Sequence, residues 1–327
     1  MIRVVIAELP EYAGRDLSVE RSVLGPDIEL HRHSCDGNEQ QLILACRDAD
    51  VVLTDYAPLT RTVIDQLQRC RLISVAATGY SSVDLDAAMD ANISVCAIDE
   101  YCTEEVADHA ILLMLALCRR LPEYHDQVQR DNLWQFDSLS GLACMRDMKL
   151  GIVGFGKIGQ AVARRARGFG MRIIAYDPHP DEAAATDLGT QFCNLSSLLA
   201  TSDIISLNCD LTPDNEHLID ANSFERMRQK PILINCARGA LVNEEALVSA
   251  LDRGQVSGAG LDVLNDESPD LRTSKLTGRS NVILTPHVAF YSDASILENR
   301  RISASNIRNF LDGKHENVRR YIYQASI

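Results

Sequence analysis

Ten cysteines are scattered through the 327 residues without a single Cys-x-x-Cys pair. That absence removes the spacing of a zinc ribbon or a dithiol redox site, and it fits reduced, buried thiols better than a disulfide framework. Long hydrophobic runs are missing too. The longest apolar stretch, residues 110–118, is far too short to span a bilayer. The N-terminal MIRVVIAELPEY reads as a strand and then a turn. No basic region precedes an apolar stretch and a small-residue cleavage site there, so no signal peptide is expected. Neither a short internal repeat nor a low-complexity linker occurs. Positive charge is in deficit, at a formal net charge of −14. This argues against nucleic acid, because a phosphate backbone rewards a clustered basic surface. It does not argue against small anions, since one well-placed arginine can hold a carboxylate inside an acidic protein. The expectation is a cytoplasmic globular protein with no metal, no membrane and no direct nucleic-acid partner.

What is present is ordinary for a globular chain: 24% charged and 46% hydrophobic residues, at a length that suits two domains. Short β-branched runs alternate with helical stretches almost from end to end. VVLTD (51–55), LISVAAT (72–78) and ISVCAI (93–98) read as buried strands, and residues 60–69 and 85–91 as amphipathic helices between them. A long helix follows over about 103–120. Its apolar block ILLMLAL suits a core or a dimer interface. A second alternation starts at Lys149 with LGIVG, RIIAYD, DIISLN, PILINCA, QVSGAGLDV and NVILTPH, six strand-like runs. Residues 293–311 read as one helix that packs back on the first domain. The pattern predicts an α/β protein with parallel sheets and helices on both faces.

The strongest local motif is KLGIVGFGKIGQAVARRARGFGMRIIAYDP, in which Gly154, Gly156 and Gly159 form Gly-x-Gly-x-x-Gly between a strand and a helix. The first glycine permits a tight turn, the second lets the backbone approach a pyrophosphate, and the third allows close packing of helix on strand. The helix N-terminus then offers free N–H groups to the anion. Asp177 closes the next strand, 18 residues after Gly159, where an acid can accept hydrogen bonds from ribose hydroxyls. A 2′-phosphate would meet a like charge there, and no arginine follows directly in DPHP. NAD is therefore the expected cofactor, not NADP.

Together VGFGKIG, INCARGALVNEEAL, GAGLDVLNDE and TPH, in that order, resemble the D-isomer-specific 2-hydroxyacid dehydrogenase family. The likeness runs from AATGYSSVD (76–84) to HVAFYSD (287–293). It implies two Rossmann-like domains, with the cofactor domain (102–290) inserted into a discontinuous, flavodoxin-like substrate domain (1–101 and 291–327). It also implies a homodimer, formed through the helix and arm reaching Trp134. By resemblance, further cofactor contacts fall on Lys157, Ile158, Cys209, Thr212, Cys236, Ala237, Asp262 and Ala289.

Reducing a 2-oxo acid needs a cation for its carboxylate, a proton donor at the carbonyl oxygen and a hydride donor. Arg238 follows the strand in ILINCARGA, where open α/β sheets build their ligand crevice. Its guanidinium can hold a carboxylate through two parallel hydrogen bonds. His287 ends NVILTPH in the same topological position and can exchange a proton near neutral pH. Glu267, five residues after Asp262, matches the carboxylate that pairs with this histidine in the family. The other seven histidines, His109 among them, are read as structural or surface groups. In AATGYSSVD the backbone N–H groups at Thr78 and Gly79 match the family's carboxylate-binding loop, and Tyr101 could line the pocket.

The chain also departs from the family pattern. Ser81-Ser82 replaces Asp-Asn in the carboxylate loop, and Glu267-Ser268-Pro269 replaces Glu-Pro. Asp147-Met148 replaces Gly-Lys ahead of the cofactor strand, and Asn208-Cys209-Asp210 replaces a His-x-Pro run. Phe290 stands where a small residue is common, which narrows the pocket toward compact or apolar groups and resembles the C-terminal-binding-protein branch. No arginine cluster suits a phosphorylated substrate. Two alternatives stay open at this level: an NADH-sensing regulatory protein, and a dehydrogenase of another small anion.

Overall fold

The structure, a computed structural model, describes residues 1–8, 10, 14–35 and 38–326. The turn expected at residues 9 and 11–12 lies outside the described residues. The chain divides into two compact units, Met1–Tyr101 with Ser292–Ile327, and Cys102–Tyr291. Strands β1 (Ile2–Glu8), β2 (Ile28–Ser34), β3 (Val51–Thr54), β4 (Leu72–Val75) and β5 (Ser94–Cys96) belong to the first unit. The second unit holds β6 (Lys149–Val153), β7 (Arg172–Tyr176), β8 (Thr190–Phe192), β9 (Ile204–Leu207), β10 (Ile232–Asn235), β11 (Gly258–Leu261) and β12 (Val282–Leu284). The last strand, β13 (Tyr321–Tyr323), returns to the first unit.

The first sheet has the order β13-β5-β4-β3-β1-β2. Strands β1 to β5 pair in parallel, while β13 runs antiparallel to β5. The antiparallel edge differs from the purely parallel sheet that the alternation suggests. Both faces are covered. Val5, Val52, Ile73 and Val95 face one core, and Val4, Val51, Leu53 and Leu72 face the other. Neighbours along a strand point to opposite faces, so burial on both sides demands unbroken apolar runs. The helix expected over 60–69 shrinks to Arg61–Ile64, with only Val63 and Ile64 buried in it.

The helix Asp293–Leu311 packs on this first sheet and on the helix Ser18–Leu24. Its Arg300 donates to both carboxylate oxygens of the buried Glu20, at 2.6 Å each. Removing one member of such a buried pair costs about 3–5 kcal/mol, because the other charge is left without a partner. Buried Asn299 and Asn306 on the same helix donate to the carbonyls of Ala76 and Ala97, just beyond β4 and β5. The C-terminal helix thus shapes the carboxyl edge of the sheet.

In the second unit the order is β12-β11-β10-β9-β6-β7-β8, all parallel. It contains β8, a three-residue strand absent from the six runs read in the sequence. Ile204, Ile232 and Ile234 face the core under the helices Thr103–Cys118 and Lys157–Gly168, while Ile205 and Leu233 face the opposite core. Asn194, Asp220 and Asn243 each cap a helix by accepting an N–H three residues on. Chain order reverses between β6 and β9, and such a switch point opens a crevice at the strands' carboxyl ends. The Gly-rich loop and Asp177, Cys209, Arg238, Asp262 and His287 all follow strands at that edge.

Candidate functional site

After β6 the chain turns at Gly154, whose φ of +89° is reached without penalty only by glycine. A Cβ there would lie 2.6 Å from the Cys209 amide nitrogen, and one on Gly159 would lie 2.2 Å from the Gly154 carbonyl oxygen. At Gly156 an added Cβ would meet nothing within 4 Å, so space is open over the helix that begins at Lys157. Among the described residues, the N–H groups of Gly156, Ile158 and Gly159 have no acceptor. Unpaired amides at the positive end of a helix, beneath open space, fit a pyrophosphate. Asp177 accepts from the Phe155 amide at 2.7 Å and the His179 amide at 2.8 Å. Each of its oxygens keeps a further lone pair for a ribose hydroxyl. The residues present therefore fit a dinucleotide.

Around this crevice the other expected cofactor positions differ in setting. Ile158 packs against the core, whereas Lys157 and Thr212 are exposed, with the Thr212 amide donating to Asn215 at 2.7 Å. Cys209, Cys236 and Ala237 are half-buried at the ends of β9 and β10. Burial pushes the Cys209 thiol up to about 11 and raises that of Cys236 as well. Both stay protonated at neutral pH and act as small apolar groups.

The loop after β10 is laced to those after β11 and β12. Asn235, buried at the end of β10, accepts from the Ala237 amide at 3.0 Å and donates to the Arg238 carbonyl at 2.9 Å. Its own carbonyl takes the Asp262 amide at 2.9 Å. A Cβ on Gly239 would lie 2.0 Å from the Leu264 carbonyl, so backbone meets backbone there. Arg238 emerges half-buried from this loop, its guanidinium donating to the Ala237 carbonyl at 2.7 Å.

Asp262 is 1% exposed and holds the turn that follows β12. It accepts from the Thr285 hydroxyl at 2.5 Å and from the Val288 and Ala289 amides at 2.9 Å each. Its carbonyl accepts from the His287 amide at 2.8 Å. His287 sits in left-handed backbone, φ +50°, which turns its ring out of the strand direction. The Nδ1 atom lies 2.8 Å from Glu267 Oε2. Phe290 meets the same ring edge-to-face at a centroid distance of 5.9 Å. A cavity of about 550 Å³ opens beside the pair, with Leu264, Pro269, Leu271 and Leu284 among its walls.

The first unit carries the remaining expected residues. In the loop after β4 the Ala76, Ala77 and Thr78 carbonyls accept from Asn299, Ile98 and Arg320. Among the described residues, the N–H groups of Thr78, Gly79 and Tyr80 have no acceptor. Tyr101 ends the N-terminal segment of this unit, half-buried.

The family pattern described as the NAD-binding domain of D-isomer-specific 2-hydroxyacid dehydrogenases matches residues 111–289. The chain belongs to this family. A hydroxypyruvate reductase of Blautia hydrogenotrophica is 34% identical over 300 residues, covering 90% of this chain and 92% of that protein. A D-lactate dehydrogenase of Escherichia coli K12 is 34% identical over 269 residues, or 78% and 81% of the two chains. The crystal structure of a D-lactate dehydrogenase from Aquifex aeolicus, complexed with NAD and lactic acid, superposes with a TM-score of 0.87 at 29% identity. That match covers 99% of this chain and 100% of the other. The protein is thus an NAD-dependent oxidoreductase that interconverts 2-oxo and 2-hydroxy acids.

Two residues of this dehydrogenase's site escape a reading of the sequence. His109, treated there as one of the structural or surface histidines, places Nε2 3.0 Å from the Thr285 hydroxyl oxygen and 3.6 Å from Asp262 Oδ1. Because the Thr285 proton is directed to Asp262, the Nε2 proton of His109 donates to Thr285, which sets its tautomer. Thr285 itself lay unremarked in TPH. No motif signals this chain, since it joins a helix to a strand end 176 residues away.

The setting of Asp177 generates a test of cofactor choice. NADH should be used at least ~10-fold better than NADPH, the scale of one lost charge-assisted hydrogen bond plus repulsion. Asp177→Ala should narrow that ratio by weakening NADH. Steady-state kcat/KM with both cofactors checks this, and equal values in the unmodified protein would contradict the role of this acid.

Proposed function

We propose that this dehydrogenase reduces a compact three-carbon 2-oxo acid of the pyruvate or hydroxypyruvate type to its D-2-hydroxy acid, and runs the reverse reaction when supply favours it. The observation that carries the reading is the 2.8 Å contact between His287 Nδ1 and Glu267, on the same sheet edge as Arg238. NADH, held by the Gly154–Gly159 loop and Asp177, would supply the hydride for the carbonyl carbon, and NAD would accept it in the reverse direction. Glu267 accepts the Nδ1 proton of His287, which leaves Nε2 as the atom that gives a proton to the carbonyl oxygen. The turn held by Asp262 keeps that ring in place. Arg238 takes the substrate carboxylate and draws electron density from the neighbouring carbonyl. In the first unit, the Thr78 and Gly79 amides, which have no acceptor among the described residues, suit a carboxylate, and Tyr101 is the candidate pocket residue of that unit. Phe290 limits the substrate side chain, consistent with the names of the two relatives.

We also propose a homodimer. Trp134 and Phe136 are each 90% exposed, and Leu121 and Leu112 are exposed as well. The arm that carries the two aromatics is held in shape, because Tyr124 donates to the Phe136 carbonyl and Arg120 to that of Ser140. A rigid arm with bare aromatic rings suits a two-fold interface. None of the ten cysteines forms a disulfide, which suits the reducing cytoplasm. No helix of the described residues is long and apolar enough to cross a membrane.

His287→Ala should cut kcat by ~10²–10⁴-fold, the scale of losing a general acid, while NADH binding persists. Arg238→Ala should raise KM and lower kcat together, since one group serves binding and chemistry. Glu267→Gln should cost less than either. Full activity in His287→Ala would remove this mechanism. Sedimentation should show a species of about twice the 36.1 kDa chain mass, weakened by Trp134→Ala with Phe136→Ala. A single 36.1 kDa species at micromolar concentration would contradict the dimer.

A further inference from the structure

The C-terminal segment reaches the loop after β4 through one side chain. Arg320, immediately ahead of β13, donates from its guanidinium to the Thr78 carbonyl at 3.1 Å. The same guanidinium lies 6.0 Å from the centre of the Tyr80 ring. Its backbone is fixed independently, because the Arg320 carbonyl accepts from the Ala97 amide at 2.9 Å and Tyr321 pairs with Cys96. Among the described residues, Arg320 forms no ion pair with a carboxylate.

A trans peptide is planar, with the carbonyl of one residue and the N–H of the next pointing in opposite directions. No peptide bond of the described residues is cis. Drawing the Thr78 carbonyl toward Arg320 therefore turns the Gly79 N–H to the other face of the loop. The Ile98 amide does the same for its neighbour: by donating to the Ala77 carbonyl it turns the Thr78 N–H away from Ile98. Of the three donors that hold successive carbonyls here, Asn299 is neutral, Ile98 is backbone, and only Arg320 carries charge. Successive amides fixed on one side of a loop form an anion-binding concavity, and a nearby positive charge deepens its potential.

We infer that Arg320 is a positioning residue for the substrate carboxylate. It sets the Thr78–Gly79 peptide so that the Gly79 N–H is presented to the anion, and its unneutralised charge strengthens that grip in an otherwise acidic chain. It does not touch the substrate. The inference rests on the reading that this loop serves the carboxylate, and the experiment separates the two.

The test uses the full chain with NADH, pyruvate as substrate, and oxamate, a 2-oxo acid analogue, as inhibitor. Arg320→Ala should raise the pyruvate KM and the oxamate Ki by ~10-fold or more, the scale of one charged hydrogen bond. Its kcat should stay within about threefold and its NADH Kd should not change. Arg320→Lys should recover part of the KM loss, since it keeps the charge without the fork geometry. It also serves as the second variant if the alanine form folds poorly. An unchanged KM and Ki in Arg320→Ala, with normal turnover by the unmodified protein, would overturn this inference alone. A parallel fall of NADH affinity, kcat and melting temperature would overturn it too, by showing a merely structural role. No oxamate inhibition and no oxo-acid turnover in the unmodified protein would overturn the reading of the loop together with it.

Discussion

The buried carboxyl group of Asp262 is the point on which the reactive edge of the second unit depends. It gathers the Thr285 hydroxyl and the amides of Val288 and Ala289, and the backbone carbonyl of Asp262 takes the His287 amide. A histidine at φ +50° is uncommon, and such a conformation persists where its surroundings over-determine it. Here they do so with four hydrogen bonds that one residue, Asp262, accepts. His109 extends the set by donating to Thr285. The consequence is a His287 ring whose direction is decided before any ligand arrives, with Glu267 holding Nδ1. If His287 is the proton donor, as proposed, preorganisation of this kind spares it a reorganisation cost at the moment of reaction.

The same economy of backbone joins that turn to the arginine loop. Asn235 links the ends of β10 and β11, and Gly239 lets the chain after Arg238 lie directly on the Leu264 backbone. Movement of one loop is therefore felt by the other, because packed interiors transmit displacement. The acidic balance of the whole chain is no obstacle to an anionic substrate. On the proposed reading its affinity is local, set by Arg238 and not by the net charge of the chain.

Much of this architecture could be read from residues alone. Unbroken apolar runs such as ILIN and VVLT required sheets buried on both faces, and Gly154, Gly156 and Gly159 in one motif required a turn into a helix. Other elements left little trace. The edge strand IELHRHS is mostly polar, and TQF and YIY are only three residues long, so β2, β8 and β13 escape a periodicity argument. His109 and Arg320 are invisible for a different reason. Their partners stand 176 and 242 residues away, and only the folded chain brings them together. His315, another of the histidines read as structural or surface groups, hydrogen-bonds Tyr321 and packs against Phe310, because the C-terminal strand folds back over it.

Turnover with defined stereochemistry is the property that decides the proposed activity. The most direct measurement mixes the unmodified protein with NADH and a panel of 2-oxo acids that includes pyruvate and hydroxypyruvate. It follows NADH absorbance and separates the product enantiomers. Stoichiometric NADH oxidation with the compact acids, and D product alone, is the expected result. Tight NADH binding without reduction of any 2-oxo acid, or formation of the L enantiomer, would contradict it.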